Sequence, residues 1–478
     1  MSQSHSHSTK PGEPMCQAVD IPAIVPISNV PRRAPVPAIV PISTQSRRPS
    51  PGKAPKANAV LTTALSNAKI LPEDKQALYL QIDLKGPKQV KKATRLPVDI
   101  ALVIDCSGSM GFGVGSARDQ AFKAATFLLK SLSGRDRSAL VLYDDKVVVA
   151  KELDQDHQKA IEKLQNVALG GSTALADALY KGIEQIGRAD SKRSQWVFML
   201  SDGQANVGDT EPDIIANRVA EGYRRGVHVS SFGLGAYYNE DLMEALAHSG
   251  GGGYHYLATP DDAPAAFQAE LTDLMAITAR GARLALTPAA GVTVRRLLGL
   301  DAESFPVEVG DIPAGALRTL LVELEVSPDV EGRLDLARVD ATWREATGKA
   351  KKSEQASVTT HVTDDEDEVS RAVDADVLGK LAEMEAALAQ AQAAVYASSG
   401  DYDQARQVIS LSRGRLQTVM AMSLSAPVRT SVSGKCDELV SSLGYLNDDD
   451  WDQTTAKTLK SNSYSTRSSR PNYKQRGK

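Results

Sequence analysis

The 478-residue chain is poor in cysteine, in aromatic rings and in long apolar runs, and each shortage excludes a class of protein. Its three cysteines, Cys16, Cys106 and Cys436, stand far apart with no paired spacing. That excludes a disulfide framework and a zinc ribbon, and it fits a reducing, cytoplasmic compartment. Aromatic residues make up only 5%, too few for a stacking platform along single-stranded nucleic acid. No apolar run reaches the roughly eighteen residues of a membrane span, and no charged-then-apolar leader is read, so neither span nor signal peptide is expected.

What is present, 42% hydrophobic and 24% charged residues, suits a globular chain of several domains. The net charge of −4 argues against a bulk nucleic-acid binder, and it is unevenly placed. Residues 1–58 carry +5 and the positions after Asp452 carry +7, which leaves −16 on residues 59–452.

Residues 1–58 hold eleven of the 23 prolines and are expected to be disordered. Within them Pro22–Ser28 recurs letter for letter as Pro37–Ser43, each copy followed by an arginine pair, Arg32-Arg33 and Arg47-Arg48. A duplicated linker and a doubled docking motif for a second partner are the two readings. Gln76–Lys85 alternates as a half-buried strand does, and segment 60–95 is expected to join a later sheet, because one strand cannot hide its own edges. Residues 97–275 alternate buried strands with helices, the pattern of a doubly wound, mostly parallel, Rossmann-like sheet. Asp144-Asp145 reads as a hairpin turn, Pro264–Ala279 as a helix and Gly250–Gly253 as a flexible turn.

From 280 to 363 short strands indicate an antiparallel β-sandwich, and 368–446 indicates a C-terminal helical hairpin with a third, shorter helix. The acidic run Asp364–Glu368 is expected to be a solvated linker. The basic tail 453–478 is expected to be disordered. The fold class is therefore multidomain α/β plus β with disordered ends.

The chemistry concentrates at strand ends. The apolar run Val98–Ile104 leads into Asp105-Cys106-Ser107-Gly108-Ser109, an aspartate with hydroxyls two and four positions on. Gly170-Gly171-Ser172-Thr173 precedes a helix, and Ser201-Asp202-Gly203 follows the buried run Trp196–Leu200. Ligands of open parallel sheets bind at the carboxyl ends of strands, where all three loops lie. Asp105, Ser107, Ser109, Thr173 and Asp202 are hard oxygen donors, which suits Mg²⁺ and, less exclusively, Mn²⁺ or Ca²⁺.

This Asp-x-Ser-Gly-Ser, Thr and Asp pattern resembles the metal-ion-dependent adhesion site of von Willebrand factor type A domains, over about residues 97–275. The resemblance implies Ser107, Ser109 and Thr173 as direct metal ligands, and Asp105 and Asp202 as direct or water-mediated ones. It also implies a protein partner that offers an Asp or Glu to the metal. The flanks resemble bacterial multidomain proteins with a central domain of this type. Gly400–Ala405 resembles the turn of tetratricopeptide-like hairpins, although one such turn does not make an array.

Other chemistries fit less well. A P-loop needs a lysine after its glycines, and Asp105–Met110 has none. An aspartyl phosphotransferase of the haloacid dehalogenase type wants a second acid at position 107. A serine hydrolase wants a histidine partner, and His228, His248 and His255 are not spaced for one. Cys106, inside the loop, is either a packed small residue or a redox switch. The expectation is a non-enzymatic, metal-dependent scaffold or adaptor. The alternative is a regulatory subunit of an AAA+ ATPase of the MoxR or chelatase type.

Overall fold

The computed structural model describes residues 60–470 except 73–74, 89–95, 112, 115, 166, 168–169, 188–189, 191, 203–206, 236, 329, 347–350 and 447–450, together with Tyr473. The proline-rich tract with its two heptapeptides lies outside the described residues.

Strands β1 (Leu61–Leu65), β2 (Lys69–Ile70) and β3 (Gln76–Lys85) come first. In β3 Leu78, Leu80, Ile82 and Leu84 are buried and alternate with half-buried Tyr79, Gln81 and Asp83. An α/β unit follows: β4 (Val98–Asp105), α1 (Ala117–Ser131), β5 (Arg137–Tyr143), β6 (Val147–Asp154), α2 (His157–Leu164), α3 (Leu175–Ile186) and β7 (Ser194–Ser201). It continues through α4 (Pro212–Arg224), β8 (Val227–Leu234), α5 (Glu240–Ser249), β9 (Gly251–Leu257) and α6 (Ala263–Met275).

The six strands lie in the order β6-β5-β4-β7-β8-β9, all parallel except β6, which runs antiparallel to β5 at the edge. Every residue of β4, β7 and β8 is buried, as strands covered on both faces require. Leu128 of α1, Ile161 of α2 and Phe267 of α6 pack on one face. Leu179 of α3, Val219 of α4 and Leu246 of α5 cover the other.

The chain then returns through β10 (Ile277–Pro288), β11 (Val292–Leu298), β12 (Val307–Pro313), β13 (Leu317–Val326), β14 (Gly332–Glu345) and β15 (Lys351–Val362). These complete a four-stranded sheet, β1-β3-β13-β11, and a five-stranded one, β12-β10-β14-β15-β2. β3 pairs antiparallel with β13 along its whole length, from Gln76 opposite Val326 to Lys85 opposite Leu317. Leu80, Ile82 and Leu324 of one sheet share a core with Leu284 and Val339 of the other. The α/β unit is thus inserted between β3 and β10.

Helices α7 (Glu366–Arg371), α8 (Ala375–Ser398), α9 (Tyr402–Met420), α10 (Ala426–Tyr445) and α11 (Gln453–Arg467) close the chain. Several expectations are corrected here. The helix expected over Pro264–Ala279 ends at Met275, and β10 starts at Ile277. The helical segment expected from 368 is broken before α8 by Asp374, whose side chain caps α8 by accepting from the N–H groups of Asp376 and Val377. α8 and α9 form the expected hairpin about Gly400, but the third helix is not short: α10 runs over Ala426–Tyr445. The acidic run is no linker: Asp365 caps α7, and Glu366, Asp367 and Glu368 fill its first turn, where the helix dipole favours acids. α11 occupies most of the tail expected to be disordered. Gly251–Gly253 belong to β9 and not to a flexible turn: a Cβ on Gly252 would lie 2.1 Å from the Val229 carbonyl oxygen.

Candidate metal centre

β4 delivers Asp105 to the carboxyl edge of the sheet, beside the ends of β5 and β7. The chain winds from β4 to β5 on one side and to β7 on the other, so this is the switch point where open sheets form crevices. Asp105 is fully buried. Its Oδ1 accepts the Ser107 N–H at 2.9 Å, and its Oδ2 accepts the hydroxyls of Ser201 at 2.7 Å and Tyr143 at 3.2 Å. After Ser107 comes a single 3-10 turn, Gly108–Met110.

The hydroxyls of Ser107 and Ser109 stand 3.0 Å apart, and the Ser109 hydroxyl donates to Asp202 Oδ1 at 2.7 Å. Asp105, Ser107, Ser109 and Asp202 therefore form one connected cluster. Thr173, 4% exposed, approaches on a second loop that two backbone bonds hold in place. Gly108 donates to the Gly171 carbonyl at 3.1 Å, and Ala174 donates to the Asp144 carbonyl at 2.7 Å.

Burial is the leading electrostatic influence. It raises the Asp105 carboxyl above its usual range despite the bonds from Ser107, Ser201 and Tyr143. It pushes Asp202 up to about 6, with the Asp105 charge adding to the rise and the Ser109 hydroxyl opposing it. Hydroxyls and backbone amides, rather than a basic side chain, are what oppose burial at both carboxylates. Two desolvated carboxylates beside three hydroxyls form a donor set short of positive charge, which fits a hard divalent cation. Among the described residues no group of three or more His, Cys, Asp or Glu side chains could hold a metal, as expected of a site whose remaining donors are hydroxyls.

Three supporting roles escaped the sequence reading. Tyr143 and Ser201, each the last residue of its strand, fix the Asp105 carboxylate. Asp144 is more than a turn residue: its carboxylate accepts the N–H of Lys146 at 2.8 Å and of Gly170 at 2.9 Å, tying the β5–β6 hairpin to the Thr173 loop. The only signal for these was their position at or beside strand ends. Cys106 is fully buried, and burial pushes its thiol up to about 12, so it packs as a neutral group and not as a reactive thiolate. The histidines lie elsewhere: His228 faces Asp311 at 3.3 Å and His255 faces Glu270 at 2.9 Å.

An open, doubly wound sheet with a hydroxyl–carboxylate cluster at its switch point defines the class. Residues 99–270 match the model of the von Willebrand factor type A domain, and this part of the chain is such a domain. Domains of this family commonly mediate protein–protein interactions and often bind a divalent metal.

Over 174 residues the chain is 32% identical to the uncharacterized protein sll0103 of Synechocystis sp., covering 35% of this chain and 40% of that one. Over 272 residues it is 28% identical to the uncharacterized protein YfbK of Escherichia coli, covering 54% and 46%. The chain thus spans less than half the length of either relative. Among solved structures, von Willebrand factor type A from Catenulispora acidiphila matches with a TM-score of 0.63 at 16% identity, over 85% of this chain and 96% of that one. The ArnB paralog VWA2 from Sulfolobus acidocaldarius matches at 0.56 and 16%, over 87% and 100%. At such identity the likeness is one of fold, and its coverage extends beyond the α/β domain. Among the described residues no helix is long and apolar enough to cross a membrane.

Proposed function

We propose that the chain is a metal-dependent protein-binding module, acting as a scaffold or adaptor without catalysis of its own. Ser107, Ser109 and Thr173 would hold Mg²⁺ directly, with Asp105 and Asp202 direct or through water. The observation that carries this reading is the pair of desolvated carboxylates, Asp105 and Asp202, opposed by hydroxyls and backbone amides rather than by a cation. The bound ion supplies an open coordination position for a partner's carboxylate. Asp105 positions Ser107 through the backbone, Asp202 orients the Ser109 hydroxyl, and the Asp144 clasp holds the Thr173 loop against both.

Calorimetric titration with Mg²⁺ tests the assignment. Thr173→Ala and Ser109→Ala should each weaken binding at least about tenfold while the melting temperature holds. Affinity capture of partners by the wild type should also be lost in EDTA. Equal Mg²⁺ affinity in wild type and both variants overturns the reading.

A further inference from the structure

A cleft of about 2050 Å³ opens at the amino-terminal edge of the α/β sheet, the end opposite the hydroxyl–carboxylate cluster. One wall is that edge with the end of α4, and the other is built by β10, β14 and β15. The lining holds ten lysines and arginines against six aspartates and glutamates. The body of the chain carries −16, so a cationic cleft is a local concentration and not a consequence of composition.

At the inner end lie Arg318 and Arg470. Arg318 is 3% exposed; its Nη1 donates to the carbonyls of Ser469 at 2.8 Å and Leu317 at 3.4 Å. Among the described residues its Nε is buried without a partner, and so is the hydroxyl of Ser468, which lines the same cleft at 8% exposure. Arg470 donates to the Gly251 carbonyl at 2.7 Å. Among the described residues neither guanidinium has a carboxylate within ion-pair distance. The acids that Arg318 feels, Asp273 and Glu270, lie farther off, and Glu270 is engaged by His255. Burial, then the charge of Arg470, pulls the Arg318 guanidinium down to about 9. A desolvated cation beside a second cation, next to unpartnered donors and open volume, is costly unless an anion joins it.

The outer wall repeats the theme. Arg280, Arg344 and Lys351 are directly opposed across β10, β14 and β15, so they share one face of the sheet. Like charges in that arrangement destabilise a sheet. Arg280 has Asp311 at 3.6 Å, whereas no described acid pairs with Arg344 or Lys351.

We propose that this cleft binds a small, multiply phosphorylated anion, with one phosphate held by Arg318, Arg470 and the Ser468 hydroxyl and the others facing the Arg280–Arg344–Lys351 row. Guanidinium groups match phosphate oxygens in geometry as well as charge. A recessed cleft, in contrast to a flat basic stripe, favours a small ligand over a nucleic-acid strand.

The test is calorimetric titration of the full chain with sodium tripolyphosphate in EDTA, which removes any metal-mediated binding. Wild type and Thr173→Ala should bind alike, which separates this site from the metal centre. Arg470→Gln should lower affinity at least about tenfold. The exposed double variant Arg344→Gln/Lys351→Gln, which touches no core, should lower it by a smaller factor. The proposal is overturned if tripolyphosphate gives no heat at millimolar concentration, or if both sets of variants bind as the wild type does. It is equally overturned if a single-stranded oligonucleotide binds more tightly than tripolyphosphate and loses affinity in the same variants.

Discussion

Glu270 on α6 offers a measurable electrostatic contribution to the α/β domain. It is buried at 4% exposure, with Oε2 2.9 Å from His255 Nε2 and Oε1 accepting the Ser230 hydroxyl at 2.6 Å. Burial alone would raise its carboxyl. The hydrogen bond and charge of His255, then Arg470 and Ser230, more than reverse this and hold it at about 2, against an ordinary 4.5. That depression corresponds to about 3 kcal/mol of stability.

Because the folded value is the lower one, the unfolded chain takes up the proton first as pH falls. The contribution is complete above about pH 4.5 and is lost progressively toward pH 2. Glu270→Gln keeps the shape and removes the charge, so it should cost up to about 3 kcal/mol near pH 5, where an ordinary imidazole carries its proton. For a domain of this size that lowers the melting temperature by roughly 6–12 °C. Differential scanning calorimetry from pH 5 to pH 2 should show the variant less stable at pH 5 and flatter below pH 4.5. A variant that melts within about 1 °C of wild type at pH 5, or that keeps the wild-type acid limb, refutes the reasoning.

Two substitutions probe the packing. Leu80→Ala empties a fully buried site between the two sheets and should cost about 2–5 kcal/mol by denaturant unfolding; a loss below about 0.5 kcal/mol would mean β3 is not part of that core. Gly252→Ala drives a methyl to 2.1 Å from the Val229 carbonyl oxygen and 2.6 Å from the Ser230 hydroxyl, so soluble expression should collapse. A soluble Gly252→Ala protein with wild-type melting would show that β8 and β9 can separate freely.

The sequence was most legible where one physical constraint dominated. Buried parallel strands need continuous apolar runs, and Val98–Ile104 and Trp196–Leu200 supplied them. The cluster at Asp105, Ser107, Ser109 and Asp202 was readable because short loops at strand ends hold their residues in fixed relation. Legibility fell where a residue's role depends on a distant partner. Nothing local marks Asp144 as the anchor of Gly170, twenty-six positions on, or Ser201 as a donor to Asp105. The glycines that open β9 looked like a turn because the close approach of Val229, which requires Gly252, is a tertiary fact. α2, whose buried face is Ala160, Ile161 and Leu164, was too short to register as a period.

α11 shows most clearly how composition misleads. Gln453–Arg467 is rich in Ser, Thr and Lys and carries only positive charge, the profile of an unfolded tail. Its partners supply what it lacks. Lys457 reaches Glu240 at 2.5 Å, Lys460 reaches Asp241 at 2.6 Å, and Arg467 pairs with Glu244 and Asp301. Three of those four acids sit on α5, so part of the tail's excess charge answers part of the body's deficit. The serines that looked like disorder are buried instead: Ser461 and Ser463 are 5% and 0% exposed, small enough for the helix to lie close to its neighbours. Leu459 and Tyr464 add apolar burial, and the Tyr464 hydroxyl donates to the Gly252 carbonyl at 3.1 Å. A helix of this kind is stable only on its template, because isolated polar helices of about fifteen residues are marginal in water. Its order is therefore written in its complementarity with separate segments, the α8 surface it packs on and the acids of α5, and no one segment alone displays it.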